Sequence, residues 1–76
     1  MVIEKIKEIL AEQLDVDSDT ITRETDLMSD LGADSLDLVE LIMTLEEEYG
    51  VNATDESVYE LKTVGEVVDY IESLVN

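Results

Sequence analysis

Ser35 sits at the centre of the stretch whose residue types could do chemistry, Leu31-Gly32-Ala33-Asp34-Ser35-Leu36-Asp37. A serine hydroxyl becomes a nucleophile when a neighbouring base takes its proton. The chain has no His and no Cys, and only Lys5, Lys7 and Lys62 could supply a side-chain amine. Ser35 is therefore not expected to hydrolyse anything unaided, and its position suggests a point of attachment. A Ser preceded by Asp at a helix start is also an ordinary capping segment. The serine by itself leaves both readings open, and the residues that follow it tip the balance.

Those residues belong to an element that must hold the serine in place. A helix is expected from Asp34 or Ser35 to about Tyr49, with Gly50 as its stop. Before it, Val2, Ile3, Ile6, Ile9, Leu10 and Leu14 recur at helical spacing and predict a first amphipathic helix over about residues 2 to 14. From Asp15 to Asp34 the chain reads as a long loop pinned by Val16, Ile21, Leu27, Met28 and Leu31. Val58 and Leu61 suggest a short third helix over Thr54 to Leu61, the weakest of the elements, with Asp55 and Glu56 in its first turn. Thr63-Val64-Gly65-Glu66 fits a capping box, and Val64, Val67, Val68, Ile71 and Val75 carry a last helix to about Leu74. Strand-like alternation is absent. The expected fold is all-α, a small four-helix bundle of three longer helices and one short one, with the long loop between the first and second.

Composition agrees with a folded domain under electrostatic strain. The 76 residues make one domain with a small core, and the 45% hydrophobic share is too high for a disordered acidic tail despite a formal net charge of −17. Lack of cysteine excludes disulfides, a thiolate metal site and any thiol of the chain's own. Glu4, Glu8 and Glu12 interrupt any signal-peptide-like run, and no run reaches membrane-spanning length, so a soluble cytoplasmic protein is the expectation.

The second helix carries more apolar residues than packing needs. Leu38, Leu41, Ile42, Leu45 and Tyr49 already form a core stripe. Leu36, Val39 and Met43 lie on a neighbouring line, interleaved with Asp37, Glu40 and Glu47, and that mixture reads as a docking surface unless the helix is buried on two sides. Between Arg23 and Lys62 there is no basic residue, while Glu24, Asp26, Asp30, Asp34, Asp37, Glu40, Glu46, Glu47, Glu48, Asp55, Glu56 and Glu60 all fall inside that interval. Such one-sided charge weakens a compact state, and makes best sense if Arg and Lys patches on partners neutralise it. The same field would speed encounter and fade with salt, since the Debye length is only about 8 Å at physiological ionic strength.

Asp30-Leu31-Gly32-Ala33-Asp34-Ser35-Leu36-Asp37, followed by Val39-Glu40-Leu41 and Leu45-Glu46-Glu47-Glu48, resembles the attachment motif and second helix of acyl carrier proteins of the dissociated (type II) fatty acid synthase family. The resemblance spans the whole chain as a single acyl carrier domain, residues 1–76, including Glu12-Gln13-Leu14, Thr63-Val64 and Asp69-Tyr70-Ile71. It implies that Ser35 receives 4′-phosphopantetheine from coenzyme A through a separate phosphopantetheinyl transferase. The arm ends in a thiol, which fits a chain without cysteine. The resemblance further implies a non-catalytic, monomeric carrier whose acyl chains ride as thioesters, partly sheltered by the bundle, to fatty acid synthesis enzymes. It assigns contact with their basic patches to Leu36, Asp37, Val39, Glu40, Met43, Glu46 and Glu47, and recognition by the transferase to Asp34. A phosphate on the first turn of a helix also suits the positive end of its dipole, although Asp34 beside it is repulsive. The sequence departs from the family where Ala53-Thr54 stands in place of a common Ile-Pro pair, which leaves the third helix less tightly specified.

Other readings compete. Asp15, Asp17 and Asp19 invite a calcium loop, but Thr20, Arg23 and Asp26 stand where that loop needs Gly, a ligand and a bidentate Glu. An acidic mimic of nucleic acid accounts for the charge and not for Ser35; no binding to nucleic acid itself is expected. Within the carrier class, a discrete polyketide carrier protein is the alternative, because these systems share the same arm.

Overall fold

Val2–Leu14 forms α1, which turns Val2, Ile6 and Leu10 fully inward and keeps its glutamates outside, as an apolar stripe at helical spacing requires. Ser35–Tyr49 forms α2 and Val64–Val75 forms α3; α1 packs against both. These are the elements of a computed structural model that describes residues 2–53, 58 and 60–75. The core joins Ile6 and Leu10 to Leu41 and Leu45 of α2 and to Val64, Val67, Val68 and Ile71 of α3, each at most 1% exposed. Among the described residues no helix is long and apolar enough to cross a membrane.

Among the described residues the named elements are three α-helices and the 3₁₀ turn Ser18–Thr20, with no strand, and Val58 and Glu60 also take 3₁₀ conformation. The short helix expected over Thr54 to Leu61 turns on residues 54–57 and 59, outside those described. The 3₁₀ turn Ser18–Thr20 lies in the long loop, where the Asp17 carboxylate accepts the Asp19 N–H at 3.0 Å. Asp17 is therefore used as a local cap, and among the described residues no group of three or more acidic side chains converges on a common point.

The long loop is fastened rather than slack. Ile21, Leu27 and Ala33 are buried, and Val16 and Leu31 pack partly against the core. Met28 departs from the expected set of anchors: it is 55% exposed, because the turn that buries Leu27 points its neighbour outward. The backbone of the loop pairs with the approach to α3, through Leu27 N–H to Lys62 O at 2.8 Å, Val64 N–H to Thr25 O at 3.0 Å and Gly65 N–H to Arg23 O at 2.8 Å. Gly65 makes that closeness possible, since a Cβ there would lie 3.0 Å from the Arg23 carbonyl oxygen. Arg23 then reaches along α3 to Asp69 at 2.9 Å.

Helix ends follow the sequence signals. The Thr63 hydroxyl accepts the Glu66 N–H at 3.2 Å, and the Glu66 carboxylate accepts the N–H groups of Lys62 and Thr63, both at 3.0 Å. Those two N–H groups, Lys62 first, hold the Glu66 carboxyl below its usual range. α2 ends on Gly50 in the left-handed region at φ 66°, a conformation that costs glycine nothing.

Candidate functional site

The approach to Ser35 is a self-capped turn. The Asp26 carboxylate accepts the N–H groups of Ser29 at 2.8 Å and Met28 at 2.9 Å, while Asp30 accepts the Asp26 N–H at 2.8 Å. Backbone bonds from Asp30 to Asp26, from Gly32 to Met28 and from Ala33 to Leu27 close the turn. Gly32 takes φ 70°, which lets the chain double back into the start of α2. The Ser29 N–H and hydroxyl, and then the Met28 N–H, hold the Asp26 carboxyl below its usual range. A carboxyl with a lowered folded pKa contributes stability above the unfolded pKa and loses it as pH falls through the folded one. Asp26 and Glu66 therefore keep their turns through mild acid and release them only below the ordinary carboxylate range. In the sequence Asp26 reads as charge and as a failed calcium-loop position, and Asp30 as charge and as the start of the attachment motif, neither as a turn cap; the Asp-x-x-Ser spacing of an Asx turn is the available signal.

Asp34 is the N-cap of α2. Its carboxylate accepts the Asp37 N–H at 3.0 Å and the Asp37 carboxylate accepts the Asp34 N–H at 3.1 Å, a capping box built from two aspartates. Gln13 of α1 donates its side-chain N–H to the Asp37 carbonyl at 2.9 Å and ties this first turn to the bundle. Ser35 is the first residue of α2 and is exposed, and among the described residues its hydroxyl has no partner. The structural role of the pair Asp34 and Asp37 is thus to fix the turn from which Ser35 projects. Asp34→Ala is expected to lower stability by about 0.5–2 kcal/mol, the usual cost of a lost N-cap, with loss of amide protection confined to the start of α2 in hydrogen exchange.

The residues expected to dock partners lie along α2 with unequal exposure. Leu36 is 73% and Met43 58% exposed, and Glu40 and Glu47 are exposed beside them. Asp37, Val39 and Glu46 are half-buried. Glu46 has a local duty, accepting the Ala53 N–H at 2.7 Å and so holding the connector after α2 against the helix. The helix is therefore not buried on two sides: its core stripe is covered and its second apolar line meets solvent.

Residues 4–71 match the family model described as a phosphopantetheine attachment site. The chain belongs to the acyl carrier protein family. An acyl carrier protein of Clostridium acetobutylicum is 51% identical over 73 residues, covering 96% of this chain and 95% of that one. The solved acyl carrier protein of Enterococcus faecalis superimposes with a TM-score of 0.80 at 36% identity, covering 96% of this chain and 92% of that chain. That of Thermotoga maritima gives a TM-score of 0.82 at 29% identity, with 96% and 85% covered.

Acyl carriers are not catalysts, and their prosthetic group is phosphopantetheine. The residues of this carrier fit such a group. The hydroxyl of Ser35 is unshared among the described residues, and the Ser35 and Leu36 N–H groups precede the first intrahelical bond, Leu38 N–H to Asp34 O at 3.1 Å. First-turn N–H groups and the positive end of a helix favour a phosphodiester at that point.

Proposed function

We propose that Ser35 is the attachment point of 4′-phosphopantetheine and that the protein carries acyl intermediates of fatty acid synthesis. The observation that carries this reading is the exposed hydroxyl of Ser35, without a partner among the described residues, on a turn held by the bonds of Asp34, Asp37 and Gln13. The arm, once attached, supplies the thiol on which acyl groups ride as thioesters. The chain's own residues hold the phosphate end, present it and dock the enzymes. Ser35 Oγ would form the phosphodiester as the pyrophosphate bond of coenzyme A breaks, adenosine 3′,5′-bisphosphate leaving and the hydroxyl proton passing to a base of the transferase; the first-turn N–H groups would favour the phosphate there, and the capping box fixes the turn that presents the serine.

Docking is assigned to Leu36, Val39 and Met43 as apolar contacts, with Asp37, Glu40 and Glu47 meeting the basic patches of a phosphopantetheinyl transferase and of the synthesis enzymes. Asp34 and Glu46 take part from positions that their structural bonds already fix. Exposed carboxylate pairs contribute roughly 0.2–1 kcal/mol each, so several give a contact that forms fast and releases fast. A cytoplasmic monomer suits such traffic. A discrete polyketide carrier would use the same arm, and acyl transfer from reconstituted condensing enzymes of each pathway separates the two.

The test of attachment is intact mass before and after incubation with coenzyme A, magnesium and a broad-specificity phosphopantetheinyl transferase. A gain of one phosphopantetheine supports the reading, and no gain in folded protein sinks it. For docking, Glu40→Lys is expected to raise the KM of the transferase for this protein several-fold without changing the melting temperature by more than a few degrees. The effect shrinks with added salt as screening sets in; a salt-independent or absent effect would place docking elsewhere.

A further inference from the structure

Glu66 and Ser35 stand on different helices, and a series of backbone bonds joins their surroundings. The Glu66 carboxylate accepts the Lys62 N–H at 3.0 Å. The Lys62 carbonyl accepts the Leu27 N–H at 2.8 Å, and the Leu27 carbonyl accepts the Ala33 N–H at 2.9 Å. Ala33 leads directly into Asp34, the cap of α2, and so into Ser35. Lys62 and Leu27 are each held at both backbone polar groups, and the Leu27 and Ala33 side chains are buried, at 3% and 6% exposed. A displacement of Lys62 is therefore passed to the turn of residues 26–33 as a shift of packed groups, with little slack to absorb it.

The other ties between the loop and α3 stop short of that turn. Val64 N–H to Thr25 O and Gly65 N–H to Arg23 O fasten residues upstream of Asp26. Among the described residues the Lys62–Leu27 bond is the one backbone bond that enters the turn from the approach to α3. Lys62 precedes α3, so its N–H has no intrahelical acceptor, and the Glu66 carboxylate stands in for one. Charge acts in the same sense. Behind the Ser29 N–H for Asp26 and the Lys62 N–H for Glu66, which lead in lowering the two carboxyls, the Lys62 ammonium favours the charged form of both.

Resting on the attachment of the arm to Ser35, we propose that Glu66 is a positioning residue for loading: by holding Lys62 it holds, through Leu27 and Ala33, the turn from which Ser35 meets the transferase. The element has two arrangements. In one the series is closed; in the other Lys62 has left Glu66 for water, and the turn before α2 loses its fixed place against α3. A first-turn glutamate of α3 thereby acts on a hydroxyl carried by α2.

Three variants of the full chain separate positioning from plain stability. Glu66→Ala removes the acceptor of the Lys62 N–H. Glu66→Gln makes the same charge change and keeps a side-chain oxygen that closes the box, as Gln does at this position. Thr63→Ala removes the opposite half of the box, the hydroxyl that accepts the Glu66 N–H at 3.2 Å, and leaves the Glu66 acceptor in place. Amide hydrogen exchange of the unloaded protein, well below its melting temperature, reads Leu27, Ala33 and Asp37. Protection at these amides is expected to fall about tenfold in Glu66→Ala, the scale of one lost cap, and less than about threefold in the other two variants. A turn formed only about a third of the time raises the apparent KM of the transferase about threefold in Glu66→Ala with kcat unchanged, while Glu66→Gln and Thr63→Ala stay within about twofold of the wild type. Equal effects of Glu66→Ala and Thr63→Ala overturn the proposal, since the cap of α3 then contributes stability alone. A Glu66→Gln protein as impaired as Glu66→Ala overturns it too, by assigning the effect to charge, and so does a Glu66→Ala protein whose KM is unchanged. Failure of the wild type to gain mass sinks the attachment reading and the loading role with it, whereas wild-type loading beside any of those results sinks the positioning role alone.

Discussion

Ser35→Ala should gain no mass with coenzyme A and transferase while melting within about 0.5 kcal/mol of the wild type, as an exposed substitution whose side chain takes no part in the cap or the core does. Both halves follow from the same geometry. The hydroxyl makes no bond to the described residues, and the cap of α2 belongs to Asp34 and Asp37, so the fold does not draw on it. Alanine is also a better helix former than serine. Attachment, by contrast, needs the Oγ itself and has no partial substitute. The other described serines are differently held: Ser18 lies half-buried in the 3₁₀ turn, Ser29 is part of the Asp26 turn and Ser73 donates to the Tyr70 carbonyl at 2.6 Å. A variant that still loaded would therefore move the site to one of these or to Ser57, and peptide mapping of the modified chain would say which.

Legibility of the fold tracked how local each signal is. The approximate bounds read for α1 and α2 agree with the structure within a residue, because apolar periodicity and, for α2, an N-cap and a glycine stop act within a few positions. The capping box at Thr63–Glu66 was readable for the same reason. The one at Asp34–Asp37 was readable only by half: Asp34 before Ser35 suggested a capping segment, but aspartate in place of Glu or Gln at the fourth position hides the reciprocal bond, and Asp37 was read as docking charge. The loop between α1 and α2 was harder, since its order comes from pairing with Lys62, Val64 and Gly65, more than thirty residues away. Met28 illustrates the cost: apolar type suggested an anchor, and only the turn around Asp26 decides that Leu27 enters the core and Met28 does not. Glu46 illustrates the reverse, a residue read for its charge that also fastens the Ala53 backbone. Gln13 carried no signal for its present role, because its bond to Asp37 spans two helices.

Leu41→Ala is expected to unfold much of the protein at low ionic strength, in sharp contrast to Leu36→Ala on the same helix. Leu41 is 0% exposed at the meeting of α2 with the core, and Leu36 is 73% exposed. Truncating a buried leucine costs about 2–5 kcal/mol in lost transfer energy and residual cavity. At about 0.05–0.15 kcal/mol per residue, a domain of this size has roughly 4–11 kcal/mol in total. The net charge of −17 pushes this chain towards the lower end, because carboxylates that crowd one interval repel in the compact state and separate in the unfolded one. At about 0.01 M salt the Debye length is about 30 Å, comparable to the whole molecule, and at 0.15 M it is about 8 Å. Salt therefore removes repulsion across the domain without repairing the cavity. The expected record is a Leu41→Ala protein with reduced helical circular dichroism in 10 mM buffer that regains much of it in 0.15 M or higher salt, beside a Leu36→Ala protein that is helical in both. Equal stability of the two variants would mean that α2 does not turn the Leu41 line inward. A Leu41→Ala protein unfolded equally at all salt concentrations would mean that charge repulsion is a minor part of its stability, and that its acidic surface is held for partners at little cost to the fold.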